Sequence, residues 1–195
     1  MGYGNLRNFR MEKNMKLLTT LLLLLIFFPV SAGCTITHKY GPYCGKIIDA
    51  ETKEPIEGAA VLVVFYTVEP GPAGSIRRYA DALETVTDKN GEFRIPEHKI
   101  TAFKFFQLWD SHGYFTIFKP EYGCYPMHKD VKPMFVPNGT LPVNQYVIIE
   151  LPNVRNESKE ERLRNAACLP SPKVPDEKYK ELRQLLNVEY KSIGY

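Results

Sequence analysis

The sequence contains no C-x-x-C pair, although it holds four cysteines, Cys34, Cys44, Cys124 and Cys168. That removes the zinc knuckle and the thioredoxin-like redox site from consideration. None of the histidines (His38, His98, His112, His128) falls in an H-E-x-x-H or H-x-H pattern. A metal site would therefore need convergence across the fold that spacing alone does not supply. There is no G-x-S-x-G elbow, so Ser75 and Ser111 stand in loops without a signalled base. Asp88-x-Asn90-Gly91 opens like a calcium loop but lacks the third oxygen-bearing position and the terminal Glu such a loop needs. No catalytic residue, metal or cofactor is expected on these grounds. A run of five like charges, the mark of a solvating tail, is also missing. The formal charge of +3 belongs to the start of the chain. Of 25 basic and 22 acidic residues, Arg7, Arg10, Lys13, Lys16 and Glu12 precede residue 34, and the chain from residue 34 onward is neutral on balance. A neutral body has no basic stripe for phosphates, so nucleic acid is not expected as a partner.

What is present begins at the N-terminus. Residues 1 to 33 have a basic flank, an apolar stretch from Leu17 to Val30 broken by Thr19 and Thr20, and then small residues. The apolar stretch falls short of the roughly 20 residues a spanning helix needs, and the order matches a secretory signal peptide. Met11 or Met15 would serve as the start equally well, since each leaves a basic residue ahead of the apolar stretch. The junction Pro29-Val30-Ser31-Ala32-Gly33-Cys34 allows two outcomes. Ala32-Gly33-Cys34 resembles the end of a bacterial lipobox, with Cys34 the lipidated residue, although Ser31 stands where Leu is usual. Val30-Ser31-Ala32 also fits ordinary cleavage after a small-x-small triplet. Lipidation would tether the chain to a membrane, as an outer-membrane lipoprotein of the bacterial envelope facing the periplasm or the cell surface. Thr35, in place of the Asp of inner-membrane retention, points the same way.

Residues 34 to 42 form a short tether, and residues 43 to 153 read as strands. Cys44 to Asp49 and Ala59 to Val68 carry the β-branched and aromatic residues of strands. Pro70-Gly71-Pro72-Ala73-Gly74-Ser75 is a loop. Asp88-Lys89-Asn90-Gly91 is a tight turn, and Leu83–Thr87 with Glu92–Ile95 are expected to form a hairpin across it. Aromatic residues crowd the next stretch: Phe103, Phe105, Phe106, Trp109, Tyr114, Phe115, Phe118, Tyr122 and Tyr125. Asp110-Ser111-His112-Gly113 suggests a turn between two strands there, and Gln145 to Leu151 a final strand. Gly45-Lys46-Ile47-Ile48-Asp49 through Pro55-Ile56-Glu57-Gly58-Ala59-Ala60-Val61, followed by Thr87-Asp88-Lys89-Asn90-Gly91-Glu92-Phe93, resembles the carboxypeptidase regulatory-like domain. The resemblance implies a mainly β, transthyretin-like antiparallel β-sandwich that is a non-catalytic accessory module. The signature of the metallocarboxypeptidase it often accompanies is absent.

In that family the position of Cys44 usually holds a buried apolar residue, and an unpaired cysteine behaves as a small hydrophobe. With Cys34 lipidated and Cys44 free, Cys124 and Cys168 are left as a disulfide; without lipid, Cys34–Cys44 becomes available. Residues 154 to 195 read as a helical extension. Ser158-Lys159-Glu160-Glu161 is a capping box, and Asp176 is placed to cap a second helix with Tyr179, Leu182, Leu186 and Ile193 on one face. That stripe is expected to pack on the sandwich. Phe103, Phe105, Phe115 and Phe118 are read as core, whereas Trp109, Tyr114, Tyr122 and Tyr125 are candidates for an exposed binding platform. The functional expectation is a structural or protein-interaction module of the envelope, with an unknown envelope protein as partner. The alternative is a carbohydrate or peptidoglycan binder that stacks sugar rings on those aromatics.

Overall fold

Ala59 to Val68 is apolar at almost every position, and a strand of that kind is stable only with both faces covered. The computed structural model describes residues 18–20, 37–72, 74–101, 107–131 and 139–195. They belong to two compact units, Met1–Ile36 with Ala102–Phe105, and Thr37–Thr101 with Phe106–Tyr195. In the first unit residues 18–20 are helical, and no helix among the described residues is long and apolar enough to cross a membrane. The signal junction, Cys34, Phe103, Phe105 and Phe106 lie outside the described residues.

The second unit runs β1 (Thr37–Tyr40), β2 (Tyr43–Asp49), β3 (Ala60–Gly71), β4 (Gly74–Val86), β5 (Glu92–Ile95), β6 (His98–Thr101), β7 (Leu108–Phe118) and β8 (Tyr146–Leu151). Two helices come next, α1 (Lys159–Asn165) and α2 (Lys180–Ile193), with a 3-10 turn at Asp176–Lys178 between them. The strands form a β4-β3-β7 sheet, a β5-β2-β8 sheet and a β1-β6 ribbon. Val61, Val63, Phe65, Phe115 and Ile117 face Tyr43, Ile47, Phe93, Ile95, Val147, Ile149 and Leu151 from the second sheet, which makes the sandwich core. The other face of β3 presents Ala60, Leu62 and Val64 to Leu182 and Leu186 of α2, together with Ala82, Phe118, Cys124 and Cys168. The protein is therefore a mainly β sandwich with a third, helical layer, and β3 is central in both directions. Each such leucine contributes roughly 1.5–3 kcal/mol by burial. The extension is integral to this unit.

Strand direction departs from a wholly antiparallel sandwich at one place. β4, β3 and β7 are antiparallel, as are β2 and β5, but β8 joins β2 in parallel from Cys44↔Tyr146 to Asp49↔Leu151. The expected β4–β5 hairpin does not form. The turn is present, with the Asp88 carboxylate accepting the N–H groups of Asn90 and Glu92, but β4 and β5 lie in different sheets. The Gly91 carbonyl accepts the Ile47 N–H at 2.8 Å, which steers the chain onto β2. Gly91 has φ +73°, and a Cβ there would sit 2.4 Å from the Ile47 carbonyl oxygen. On the far side of this corner Ile56 N–H donates to Ile47 O at 3.0 Å. The Thr87 hydroxyl donates to Ile56 O at 2.6 Å and accepts the Ala59 N–H. The two stretches that carry the family resemblance thus close on each other through backbone bonds.

Asp110 to Gly113 does not divide two strands. β7 is continuous, and its pairing with β3 jumps from Phe65↔Gly113 to Thr67↔Trp109, so the polar residues bulge out of one ladder.

Ser158 caps α1 as its capping box requires, its Oγ accepting the Glu161 N–H. Asp176 does not cap α2. It begins the 3-10 turn, and Tyr179 at the α2 N-cap offers no side-chain bond. The free N–H groups of Glu181 and Leu182 instead donate to the Glu84 carboxylate of β4, at 2.9 and 2.8 Å. The cap is tertiary, so no local pattern announces it. Glu84→Ala is expected to cost about 0.5–2 kcal/mol, the usual value of an N-cap, and to speed proteolysis of residues 176–195 ahead of the sandwich. An unchanged cleavage rate of the tail would count against the cap.

Candidate functional site

The loop after β7 is one place where the extension meets the sandwich, and a thiol, an imidazole and a carboxylate contact lie along it. It is pinned by bridges from Ile117 to Tyr125 and from Tyr122 to Asn153. Gly123 lets it close: a Cβ there would lie 2.6 Å from the His128 ring and 2.9 Å from Pro152. Three successive positions then reach the extension. Glu121 donates its N–H to the Glu189 carboxylate at 3.0 Å, Cys124 meets Cys168, and His128 Nε2 faces Glu157 Oε1 at 3.7 Å.

Cys124 and Cys168 are buried free thiols in side-chain hydrogen-bonding contact, so the structure places the pair together without a bond between them. Burial, reinforced by the neighbouring Cys168, pushes the Cys124 thiol well up. A thiol held protonated is a poor nucleophile. Cys44 is half-buried rather than a core residue, because β2 turns Tyr43 and Gly45 inward.

His128, Asp130 and Glu157 are close enough together to frame a cation, a convergence of separate loops that histidine spacing does not reveal. The ring tests it. His128 Nδ1 accepts the Asp130 N–H at 3.1 Å, which puts the ring proton on Nε2, facing Glu157. A metal-ligating imidazole has the reverse arrangement, with the second nitrogen donating and the first carrying a lone pair. The trio is a packed contact between the loop and the extension, and its one hydrogen bond, from the Asp130 N–H to His128 Nδ1, lies within the loop. His128 has a side chain only 1% exposed and its Nε2 has no bond within range, so the contact is closed by packing.

Glu189 lies at the centre of this contact. It occupies the apolar stripe of α2 beside Leu182, Leu186 and Ile193, and is 2% exposed. Its Oε1 accepts from Arg162 of α1 at 2.7 and 2.9 Å while Oε2 takes the Glu121 N–H. One carboxylate therefore joins α1, α2 and the loop.

The four aromatics proposed as a platform are not brought together. Tyr125 is core, 2% exposed. Tyr122 is partly buried against the sandwich core, and its hydroxyl donates to Asp49. Trp109 packs on the same core and stacks on His38 at 5.6 Å. Tyr114 belongs to the opposite face, edge-on to Tyr66 and beneath Arg77, with its hydroxyl on Asp110. Alternation along β7 separates Trp109 from Tyr114, and the others are held by tertiary bonds, so no shared stacking surface results.

Two carboxylates tie distant segments. Burial works to raise Asp49, but the N–H groups of Thr52 and Glu51 and the Tyr122 hydroxyl outweigh it and hold Asp49 below the ordinary range. Burial is likewise outweighed at Asp81, which accepts from Lys178 at 2.7 Å and His98 at 2.8 Å. A depressed folded pKa means stability that is complete above the unfolded value and lost as pH falls through the folded one. Unfolding free energy is expected to hold between neutrality and about pH 5, then drop below about pH 4. Asp49→Asn and Asp81→Asn should each flatten the acid slope in urea titrations across pH; an identical slope would refute the assignment.

No protein-family model matches the chain, nor does any curated protein or solved structure.

Proposed function

We propose that the chain is a non-catalytic module of the bacterial envelope, tethered to a membrane through lipid on Cys34 and built on a sandwich of the carboxypeptidase regulatory-like, transthyretin-like type. The observation that carries this reading is the corner where Ile47, Ile56, Thr87 and Gly91 bond to one another. It gives the two resemblance stretches a shared structural purpose. The order of basic flank, apolar stretch, small residues and Cys34 at the N-terminus supplies the address. The role is a rigid spacer or docking body for an envelope protein. Cys124 and Cys168 are the pair that a disulfide-bearing carrier of an oxidising compartment would oxidise by thiol–disulfide exchange, its own disulfide leaving as a dithiol, and the bond would staple the extension to the loop.

The test is the intact mass of the protein purified from its host, with and without reductant. A chain that begins at Cys34 with two or three acyl groups, and gains two hydrogens on reduction, supports both parts. A chain beginning at Gly33 without acyl groups rejects the tether, and an unchanged mass on reduction rejects the staple.

A further inference from the structure

β3 and β4 run past the sandwich core as a hairpin arm that ends at Gly71 and Gly74, with Leu108 and Trp109 of β7 paired along it to Val68 and Thr67. Two exposed aliphatics flank the end of the arm on opposite faces of its sheet, Leu108 of β7 at 65% beside Val68 and Ile76 of β4 at 51% beside Glu69. The arm's cations have partners, Arg78 with Glu69 at 2.9 Å and Arg77 with Asp110 at 3.5 Å. The end of the arm thus offers one aliphatic on each face among paired charges, unlike a polybasic patch.

β1 lies along this arm and gives it a direction. The Tyr40 hydroxyl donates to the carbonyls of Asp110 and Tyr66, and two residues earlier His38 stacks on Trp109. Followed toward the N-terminus, the strand therefore leads to the Leu108 end. Cys34 precedes Thr37 by three residues, a reach of at most about 10 Å.

We propose that the arm enters the lipid interface end-on, so that Leu108 on one face and Ile76 on the other are seated among the headgroups, with Trp109 on the Ile76 face beside them. This rests on the reading of Cys34 as the lipid anchor. So short a tether holds the arm at the interface, where even a weak apolar contact is sustained by local concentration. Trp109 adds the amphipathic ring favoured at that depth. Because the charges are internally paired, the seat is insensitive to salt. The sandwich is then held with its arm downward and the helical layer free.

The test uses the full chain from its host's membranes, with acylation read by mass, in vesicles of phosphatidylethanolamine and phosphatidylglycerol brominated near the glycerol end of the acyl chains. Trp109, the single tryptophan, is expected to be quenched relative to vesicles without bromine, equally at low and high salt. Leu108→Glu with Ile76→Glu, both at exposed positions, should keep the fold and the lipid but lose the quenching. Unquenched Trp109 in an acylated, vesicle-bound chain overturns the seat and leaves the anchor standing. A chain without acyl groups overturns the anchor; the seat is then read by sedimenting that chain with the same vesicles. Weakening by about tenfold per substituted aliphatic supports it, and no difference from the double variant overturns it.

Discussion

Replacing Glu189 with Ala is expected to cost about 3–5 kcal/mol, the penalty of leaving a buried charge without its counter-ion. Arg162, whose side chain is 13% exposed, would keep its positive charge and lose both bonds to the Glu189 carboxylate. The Glu121 N–H would lose its acceptor as well. Against a typical total stability of about 5–15 kcal/mol this is a large share. The measurement is the urea midpoint at neutral pH, followed through the far-ultraviolet signal. Glu189→Gln should cost less, because an amide oxygen still accepts one of the bonds. Arg162→Met combined with Glu189→Met should recover much of the loss, since the site then becomes apolar and holds no orphan. A single-variant loss below about 1 kcal/mol would mean that Arg162 finds solvent instead.

Gly91→Ala is expected to be comparably severe for a different reason. The residue sits at φ +73°, where a Cβ costs about 1–2 kcal/mol on backbone grounds alone. That Cβ would also press on the Ile47 carbonyl oxygen from 2.4 Å, and this oxygen is backbone already bonded to Ile56 N–H. Overpacking of this kind adds about 1–3 kcal/mol. The loss should appear as a lower unfolding midpoint with unchanged slope, and Asn90→Ala is the control, since the Asn90 contribution is its N–H to Asp88. Equal midpoints for Gly91→Ala and Asn90→Ala would show that the corner yields without cost.

These two residues mark the limits of what the sequence discloses. Asn90-Gly91 announces a turn, and a turn is there. Pairing across it is a separate matter, decided by where the Gly91 carbonyl finds a donor, and that donor lies on β2 more than forty residues earlier. The apolar run of β3 announces burial on both faces, and the helical stripe of α2 supplies the cover. Glu189 was detectable in principle as a charge inside that stripe, but its partner Arg162 belongs to another helix. The α2 cap illustrates the same gap: Asp176 has the right chemistry in the local sequence, yet Glu84 from β4 holds the position. Crowding in sequence does not gather the four aromatics, because Trp109 and Tyr114 lie on opposite faces of β7 while Tyr122 and Tyr125 lie beyond it against the core. The Cys124–Cys168 contact is legible because so few cysteines leave few alternatives; the His128–Glu157 contact is not, because carboxylates are many.

β8 lies parallel to β2, with Cys44 opposite Tyr146 and Asp49 opposite Leu151. A ribosome emitting this chain releases β2 early and β8 only after some hundred further residues. Until then one edge of β2 has no neighbour, and the sheet that closes the sandwich exists in part. Contacts so distant along the chain also make folding slow. A nascent chain of this design cannot complete its second sheet until about three quarters of it has been made.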